Sequence, residues 1–274
     1  MVLSWRGASQ PEAATSLDWA PRASTITTKC GLRGKCMKPS DYTIYAVCIQ
    51  DEKVRYKAQS RIVPIMGGAW NIVDAERRAL REQGYVFDDE GAFLSSLNRR
   101  WGELSCVHWM LLNAEEANIG NAQYRRNWIE PKSGWYAEDV LYVPEPAIFT
   151  CTLEQQFYGG HSEFDAPAIT RELANTGAWA FTREEIDKLW AQNLFIGCNM
   201  ARGPKQYYKQ FMTTLFVCLL PIWEKHKEHF LSIEGYDKRA LAFIAERLLT
   251  GLVLYQDKFF PGMKIETTQI GFIP

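Results

Sequence analysis

Two adjacent arginines close the extended run Ile119-Gly120-Asn121-Ala122-Gln123-Tyr124-Arg125-Arg126-Asn127-Trp128, and no other stretch has a plainer capacity for chemistry. A guanidinium is planar, permanently charged and bidentate, so a pair of them suits a pyrophosphate. Strand ends are also where open α/β sheets collect ligand groups. The plain alternative is that the pair makes surface salt bridges. A second charged stretch, Phe87-Asp88-Asp89-Glu90-Gly91, gathers carboxylates on a turn. Asp88 and Asp89 could hold Mn²⁺ or Mg²⁺ against a diphosphate, or such acids could simply favour the start of a following helix. Groups able to take a proton are Asp89, Glu103, His161 and Asp165. His108 falls on an apolar helical stripe, where a histidine is more often a satisfied core residue than a base.

Elements that would position these groups follow from the patterning. Tyr42 to Ile49 is a β-branched and aromatic run, a buried strand. Ile62 to Ala69 is a second strand ending in Gly67-Gly68, a pair that permits a tight turn or close backbone approach to a ligand. The spacing predicts a helix from Trp70 to about Gln83 stopped by Gly84, and another from Phe93 to Asn113 with Leu94, Leu97, Trp101, Leu104, His108 and Leu111 on one face. Asn98 and Glu103 lie off that face. Helices are also predicted over 165–174, 183–190, 207–223 and 236–255, and the last turns Arg247 inward toward Glu246, another carboxylate or a ligand phosphate. Asn199 follows the apolar run Leu194 to Cys198, a further polar group at a strand end. Lys264 to Ile270 reads as an edge strand or tail. Strand, turn and helix in alternation indicate an α/β protein.

Composition narrows the classes. With 274 residues and 47% hydrophobic content the chain can bury a substantial core. Lys plus Arg total 31 against 32 for Asp plus Glu, so no net charge advertises nucleic acid as the main partner. The seven scattered cysteines show neither C-x-x-C nor metal-finger spacing, which predicts reduced thiols in a cytoplasmic setting. The apolar run Leu215 to Trp223 contains Pro221 and is too short to span a bilayer, leaving peripheral attachment to a membrane face as the membrane option. Residues 1–40 are rich in Ser, Thr, Ala and Pro, lack periodicity, and are expected to be disordered or weakly ordered, with residues 41–274 as the folded domain. Met37, just ahead of the first predicted strand, is a second candidate start.

The order of short motifs is more specific than any one of them. Phe87-Asp88-Asp89-Glu90-Gly91, Ser95-x-x-Asn98, Gly102-Glu103-Leu104-Ser105, Trp109, Asn113, and Ile119-Gly120 with Gln123-Tyr124-Arg125-Arg126 resemble a family of glycosyltransferase-like domains of capsular and surface polysaccharide biosynthesis. The likeness continues through Asp139 to Pro144, Glu154-Gln155-x-x-Tyr158-x-x-His161-x-x-x-Asp165, Phe195 to Met200, Tyr236-Asp237-x-Arg239 and Ala245 to Leu249. That family's hallmark is His-Tyr-Arg-Arg, and here Gln123 takes the histidine's place, an amide that cannot act as a base near neutrality but can hydrogen-bond a sugar or a base. The resemblance implies one Rossmann-like, nucleotide-sugar-binding domain of the GT-A kind, with a mixed central sheet flanked by helices. It implies transfer of a sugar from a nucleotide-diphosphate donor to a glycan or other hydroxyl acceptor.

On that expectation Arg125 and Arg126 neutralise the leaving diphosphate, and Glu103, His161 or Asp165 serves the acceptor. Gly67, Gly68, Asn98, Gln123, Tyr124, Asn199, Glu246 and Arg247 bind the donor, and Asp88 and Asp89 carry a Mn²⁺ or Mg²⁺ ion if one is used. Two other readings stay open: a transferase for an unusual acceptor such as a modified nucleobase, and a noncatalytic nucleotide-sugar or glycan-binding module.

Overall fold

A computed structural model describes residues 36–49, 60–134 and 136–272. Residues 1–35, most of the expected N-terminal extension, lie outside the described residues. Regular structure begins earlier than expected: Cys36–Met37 (β1) pairs antiparallel with Tyr136–Ala137, and Met37 is buried within this strand pair.

The sheet is built in chain order. Thr43–Cys48 (β2) and Arg61–Met66 (β3) lie parallel, and after the helix Asp74–Glu82 (α1) the short Val86–Phe87 (β4) adds to the β3 edge. A short helix Asn98–Trp101 (α2) and the helix Leu104–Asn113 (α3) lead to Asn118–Gln123 (β5), parallel to β2 on its other side. All six residues of β2 are buried, as a parallel strand covered on both faces requires. The chain then reverses: Arg126–Trp128 (β6) returns antiparallel, with Gln123 opposite Arg126. The run that looked like one strand leading outward is thus a tight hairpin with Tyr124 and Arg125 at its tip.

Beyond Tyr136–Ala137 (β7) come Val140–Pro144 (β8) and Ala147–Ile148 (β9). Three helices follow, Leu153–Gly160 (α4), Ala166–Ala174 (α5) and Arg183–Ala191 (α6), then the short strands Leu194–Phe195 (β10) and Arg202–Pro204 (β11). The long helix Lys205–Ser232 (α7), the helix Ala240–Leu254 (α8), a last turn Gln256–Phe259 (α9) and the strands Lys264–Thr268 (β12) and Ile270–Phe272 (β13) complete the fold. The main sheet runs β12-β8-β11-β5-β2-β3-β4, with β11 antiparallel to both neighbours and β12 parallel to β8; β13 extends β6. It is a mixed sheet flanked by helices, an α/β fold. Among the described residues no helix is long and apolar enough to cross a membrane.

Helix α8 is buried nearly all round, the mark of a core helix. Its floor against the sheet is tied by polar links: Thr250 Oγ1 accepts from the Ile196 amide at 3.0 Å and donates to the Glu246 carbonyl at 3.0 Å. The helix predicted over 93–113 is broken. A 3-10 turn at Leu94–Leu97 and α2 end at Gly102, whose φ of 55° and ψ of −137° suit only glycine and whose missing Cβ would meet Ala242 Cβ at 3.0 Å. Continuous apolar spacing concealed that break, because both halves keep the same face on the core. Its consequence is local but decisive: the chain restarts at Glu103 with the carboxylate turned toward the strand ends.

Candidate functional site

Beyond the C-terminal ends of β2 and β5 lies a cavity of about 1000 Å³. Nine of the residues singled out in the sequence line it: Asn98, Glu103, Gln123, Tyr124, Arg125, Arg126, His161, Glu246 and Arg247. This is where ligands enter open α/β sheets.

At its centre is a polar chain anchored on Gln123. The Gln123 amide nitrogen donates to the Cys198 carbonyl at 3.1 Å and to Glu103 Oε1 at 3.4 Å, while its oxygen accepts from Arg126 Nη1. A side-chain amide can donate to a carboxylate and accept from a guanidinium at once. Asn199 Nδ2 donates to the same Glu103 oxygen at 2.9 Å, so Oε1 is fully engaged and Oε2 has no hydrogen-bond partner among the described residues. The Arg126 guanidinium stacks over the Phe272 ring at 4.9 Å, and that of Arg125 over Tyr124 at 4.9 Å.

Cys198 and Asn199 both have left-handed backbone, φ 77° and 48°. A non-glycine pair there costs free energy, about 1 kcal/mol or more per residue, and the surroundings hold it. Buried Asn121 of β5 donates to the Asn199 carbonyl at 2.8 Å and accepts from the Ala201 amide at 3.0 Å. The Cys198 amide donates to Glu246 Oε1 at 2.7 Å, and Arg247 Nη1 reaches Glu246 Oε2 at 3.2 Å. Burial pushes the Glu246 carboxyl up, with Arg247 opposing and Glu103 reinforcing the shift. Burial likewise lowers the Arg247 guanidinium, which also donates to Gln156 Oε1 at 2.6 Å. Arg247 therefore pairs with Glu246, one of its three expected partners, while still facing the cavity. Burial holds the Cys198 thiol up to about 12, so it stays protonated.

His161, at the C-terminal end of α4, is 7% exposed. Its Nδ1 lies 2.7 Å from Asp237 Oδ1, and Asp237 also accepts the amides of Ser162 at 3.0 Å and Glu163 at 3.2 Å. With Nδ1 committed, Nε2 is the nitrogen without a hydrogen-bond partner among the described residues. Burial first, then Arg247 and Arg239, hold the imidazole below its ordinary value despite the opposing pull of Asp237. The ring is neutral near pH 7. Asp237 and Arg239 stood in a recognised motif without being assigned to the site; Phe272, Lys238 and Arg99 also reach the cavity, and their exposure in sequence carries no periodic signal that would have marked them.

Six expected site residues sit elsewhere. Asp88 is fully buried and accepts the Gly68 and Ala69 amides at 2.9 Å each, with the Ser95 and Ser105 hydroxyls at 2.5 Å each. No oxygen of it is left for a metal. Asp89 pairs in a fork with Arg77, Nη1–Oδ1 3.0 Å, and Glu90 pairs with Arg81. Gly67 and Gly68 do not line the cavity; a Cβ on Gly67 would meet Asn98 Nδ2 at 2.9 Å, so the glycines let this turn close on Asn98. Asp165 caps α5, accepting from Ala168 N at 2.9 Å, and takes the Tyr158 hydroxyl at 2.8 Å. Asn199 is wholly buried behind Glu103 and is not among the lining residues. The carboxylates expected to hold Mn²⁺ or Mg²⁺ thus do not fit that role, and among the described residues no group of three or more His, Cys, Asp or Glu side chains is disposed to hold a metal.

Comparison with curated proteins found no match. Among solved structures, the chain is similar to one described as the apo form of WbbM bifunctional glycosyltransferase, with 19% identity, a TM-score of 0.59, and coverage of 85% of this chain and 45% of that one. The chain therefore spans less than half of that protein's length, and the likeness is one of fold. A family model described as Domain of unknown function (DUF4422) matches residues 44–257, from β2 through α9 and including the whole polar chain around Gln123. The protein belongs to this DUF4422 family.

Proposed function

We propose that the protein is a glycosyltransferase that moves a sugar from a nucleotide-diphosphate donor to a hydroxyl acceptor, in the assembly of surface or capsular polysaccharide. One observation carries the reading. The cavity at the β2 and β5 ends joins two arginines, a half-engaged carboxylate and a neutral, carboxylate-oriented histidine within a volume that suits a nucleotide sugar. The GT-A-like fold and the likeness to a glycosyltransferase structure support it.

As the anomeric carbon–oxygen bond to the diphosphate breaks, its electron pair passes to the leaving group. Arg126 and Arg125 meet that growing negative charge from fixed positions, where preorganised charge acts most strongly. His161 Nε2 takes the acceptor hydroxyl's proton as the new carbon–oxygen bond forms, and Asp237 holds the tautomer that leaves Nε2 basic. Glu103 Oε2 accepts from sugar hydroxyls, its position locked by Gln123 and Asn199. Gln123 thus serves as a bridge between Glu103 and Arg126 in place of an acid-base group. No step is routed through a metal, since Asp88 and Asp89 are engaged elsewhere.

A panel of nucleotide-diphosphate sugars, run with and without Mn²⁺ in a thermal-shift assay, tests the reading. A ligand at about 100 times its Kd should stabilise by about 2.7 kcal/mol. Slow donor hydrolysis without acceptor should accompany binding. Binding without any turnover would convert the protein into a nucleotide-sugar-binding module, and no stabilisation by any donor would sink the proposal.

A further inference from the structure

The cavity carries positive charge at two separate places. One is the β5–β6 hairpin with Arg125 and Arg126. The other is a separate stretch of the rim, formed by α2 and the 3-10 turn Gly235–Arg239. Arg99, Lys238 and Arg239 line the cavity there.

This second rim is built rather than incidental. Arg100, next to Arg99, donates to the Ile233 carbonyl and, at 2.8 Å, to the Leu231 carbonyl, and pairs with Glu234 at 3.7 Å. Arg100 thereby fastens the segment leading into the 3-10 turn onto α2 and fixes Arg99 beside Lys238 and Arg239. The Arg239 guanidinium lies over the Tyr236 ring at 5.4 Å and the Phe243 ring at 5.3 Å. The His161 imidazole stacks on the same two rings, 5.9 Å from Tyr236 and 4.3 Å from Phe243. Arg239 is therefore held within reach of the proposed base by a shared aromatic platform. Among the described residues, Arg99, Lys238 and Arg239 take part in no hydrogen bond or ion pair. The two acids of the same segment are already used: Asp237 by His161 and two amides, Glu234 by Arg100.

Three like charges on one stretch of lining, none of them in an ion pair, repel one another, and the arrangement is relieved when an anion binds. A donor diphosphate already has the hairpin arginines, and the base, where the acceptor must present its hydroxyl, shares its aromatic platform with Arg239. We propose that Arg99, Lys238 and Arg239 form a second anion subsite that takes a phosphate group carried by the acceptor. The inference rests on the glycosyltransferase reading and narrows its acceptor class to a phosphorylated one. A sugar phosphate in solution and a lipid-borne phosphate present the same chemistry to these side chains.

Isothermal titration on the full chain separates the possibilities. Glucose 1-phosphate and methyl glucoside are titrated with the cavity's donor side held saturated by the nucleoside diphosphate that the donor screen selects, and glucose 1-phosphate is also titrated without it. The expected result is that glucose 1-phosphate binds, methyl glucoside does not, and Lys238→Ala with Arg239→Ala weakens glucose 1-phosphate at least tenfold while the nucleoside diphosphate Kd changes less than threefold. Lys238→Ala alone should weaken it in the same direction, and it leaves the Arg239 stack intact should the double variant fold poorly. Flotation with phosphatidic acid vesicles in phosphatidylcholine is the second arm; loss of flotation in the variants points to a lipid source, and loss confined to glucose 1-phosphate to a soluble one. Equal binding of glucose 1-phosphate and methyl glucoside, or no phosphate binding in either arm, overturns the subsite. Loss of nucleoside diphosphate binding in the variants also overturns it, by assigning the three cations to the donor. Failure of every nucleoside diphosphate to bind, by contrast, would refute the glycosyltransferase reading and leave glucose 1-phosphate binding alone to decide whether the anion site exists.

Discussion

Two charged clusters sit at the ends of parallel strands in this protein, and the cavity beyond β2 and β5 is lined by one of them and not by the other. At the end of β4, Asp88 accepts four hydrogen bonds and Asp89 is forked onto Arg77. At the end of β5, Gln123 draws Arg126 and Glu103 together but leaves Glu103 Oε2 and the Arg126 Nε without a hydrogen-bond partner among the described residues. The first cluster spends its polar capacity on the fold and the second keeps some in reserve. Charge at a strand end is therefore a weaker sign of function than charge whose hydrogen-bonding capacity the protein itself leaves unmet.

The largest break in this comparison should come from the satisfied side. Asp88→Ala strips a partner from the buried Ala69 amide, the half-buried Gly68 amide and the buried Ser95 and Ser105 hydroxyls, and buried unsatisfied groups cost about 1–3 kcal/mol each. Even with partial relaxation, roughly 3–5 kcal/mol of stability should be lost, visible as a large fall in denaturation midpoint or failure to fold. A drop under about 1 kcal/mol would mean that Asp88 is not the keystone of the Gly67–Ser105 region.

On the unmet side, His161→Ala should lower turnover about 10²–10⁴-fold, the usual range for a general base. Because burial holds this imidazole below its ordinary value, the base is neutral and turnover should be level from pH 7 to 8. It should fall only as pH drops through a value below about 6.5. A limb centred above pH 7 would assign the base elsewhere. Asp237→Asn should cost about 10–100-fold, as loss of an orienting partner does. Asp237 raises the His161 value, so its removal should also move the acidic limb to lower pH. An unmoved limb would reduce Asp237 to packing. The smallest effect is expected for Asp89→Asn: a stability change of about 1 kcal/mol or less, as for a partly exposed ion pair, with kinetics unchanged.

Much of the fold could be anticipated because its periodicities are strong. β2, β3, β5 and the helices at 166–174 and 183–191 coincide with their predicted runs to within a few residues. The helix over 93–113 was mistaken as continuous because a 3.6-residue stripe reports which face is buried and not whether the backbone persists through Gly102. The site divides along the same line. Arg126, Gln123, Glu103 and His161 were recognisable as residue types near one another in a motif order. Asp88, Asp89 and Asp165 looked equally reactive, because nothing in a sequence shows that a carboxylate's oxygens are already occupied by Ser95 and Ser105, by Arg77, or by a helix N-terminus. The Arg99–Lys238–Arg239 rim was missed for the opposite reason: its members are about 140 residues apart by numbering and come together only in the fold, where Arg100 clamps the two segments.

Turnover of the selected donor by Arg126→Ala, measured together with donor Kd and thermal midpoint, tests most directly the claim that the β5–β6 hairpin meets the leaving group. Removal of one preorganised donor should cut kcat by roughly 10²-fold or more, with donor affinity falling less than rate and Arg126→Lys recovering only part, since a point charge lacks the fork. Near-normal turnover in Arg126→Ala, with activity instead abolished by a chelator and by Asp89→Asn, would contradict the account and return the chemistry to the acidic turn.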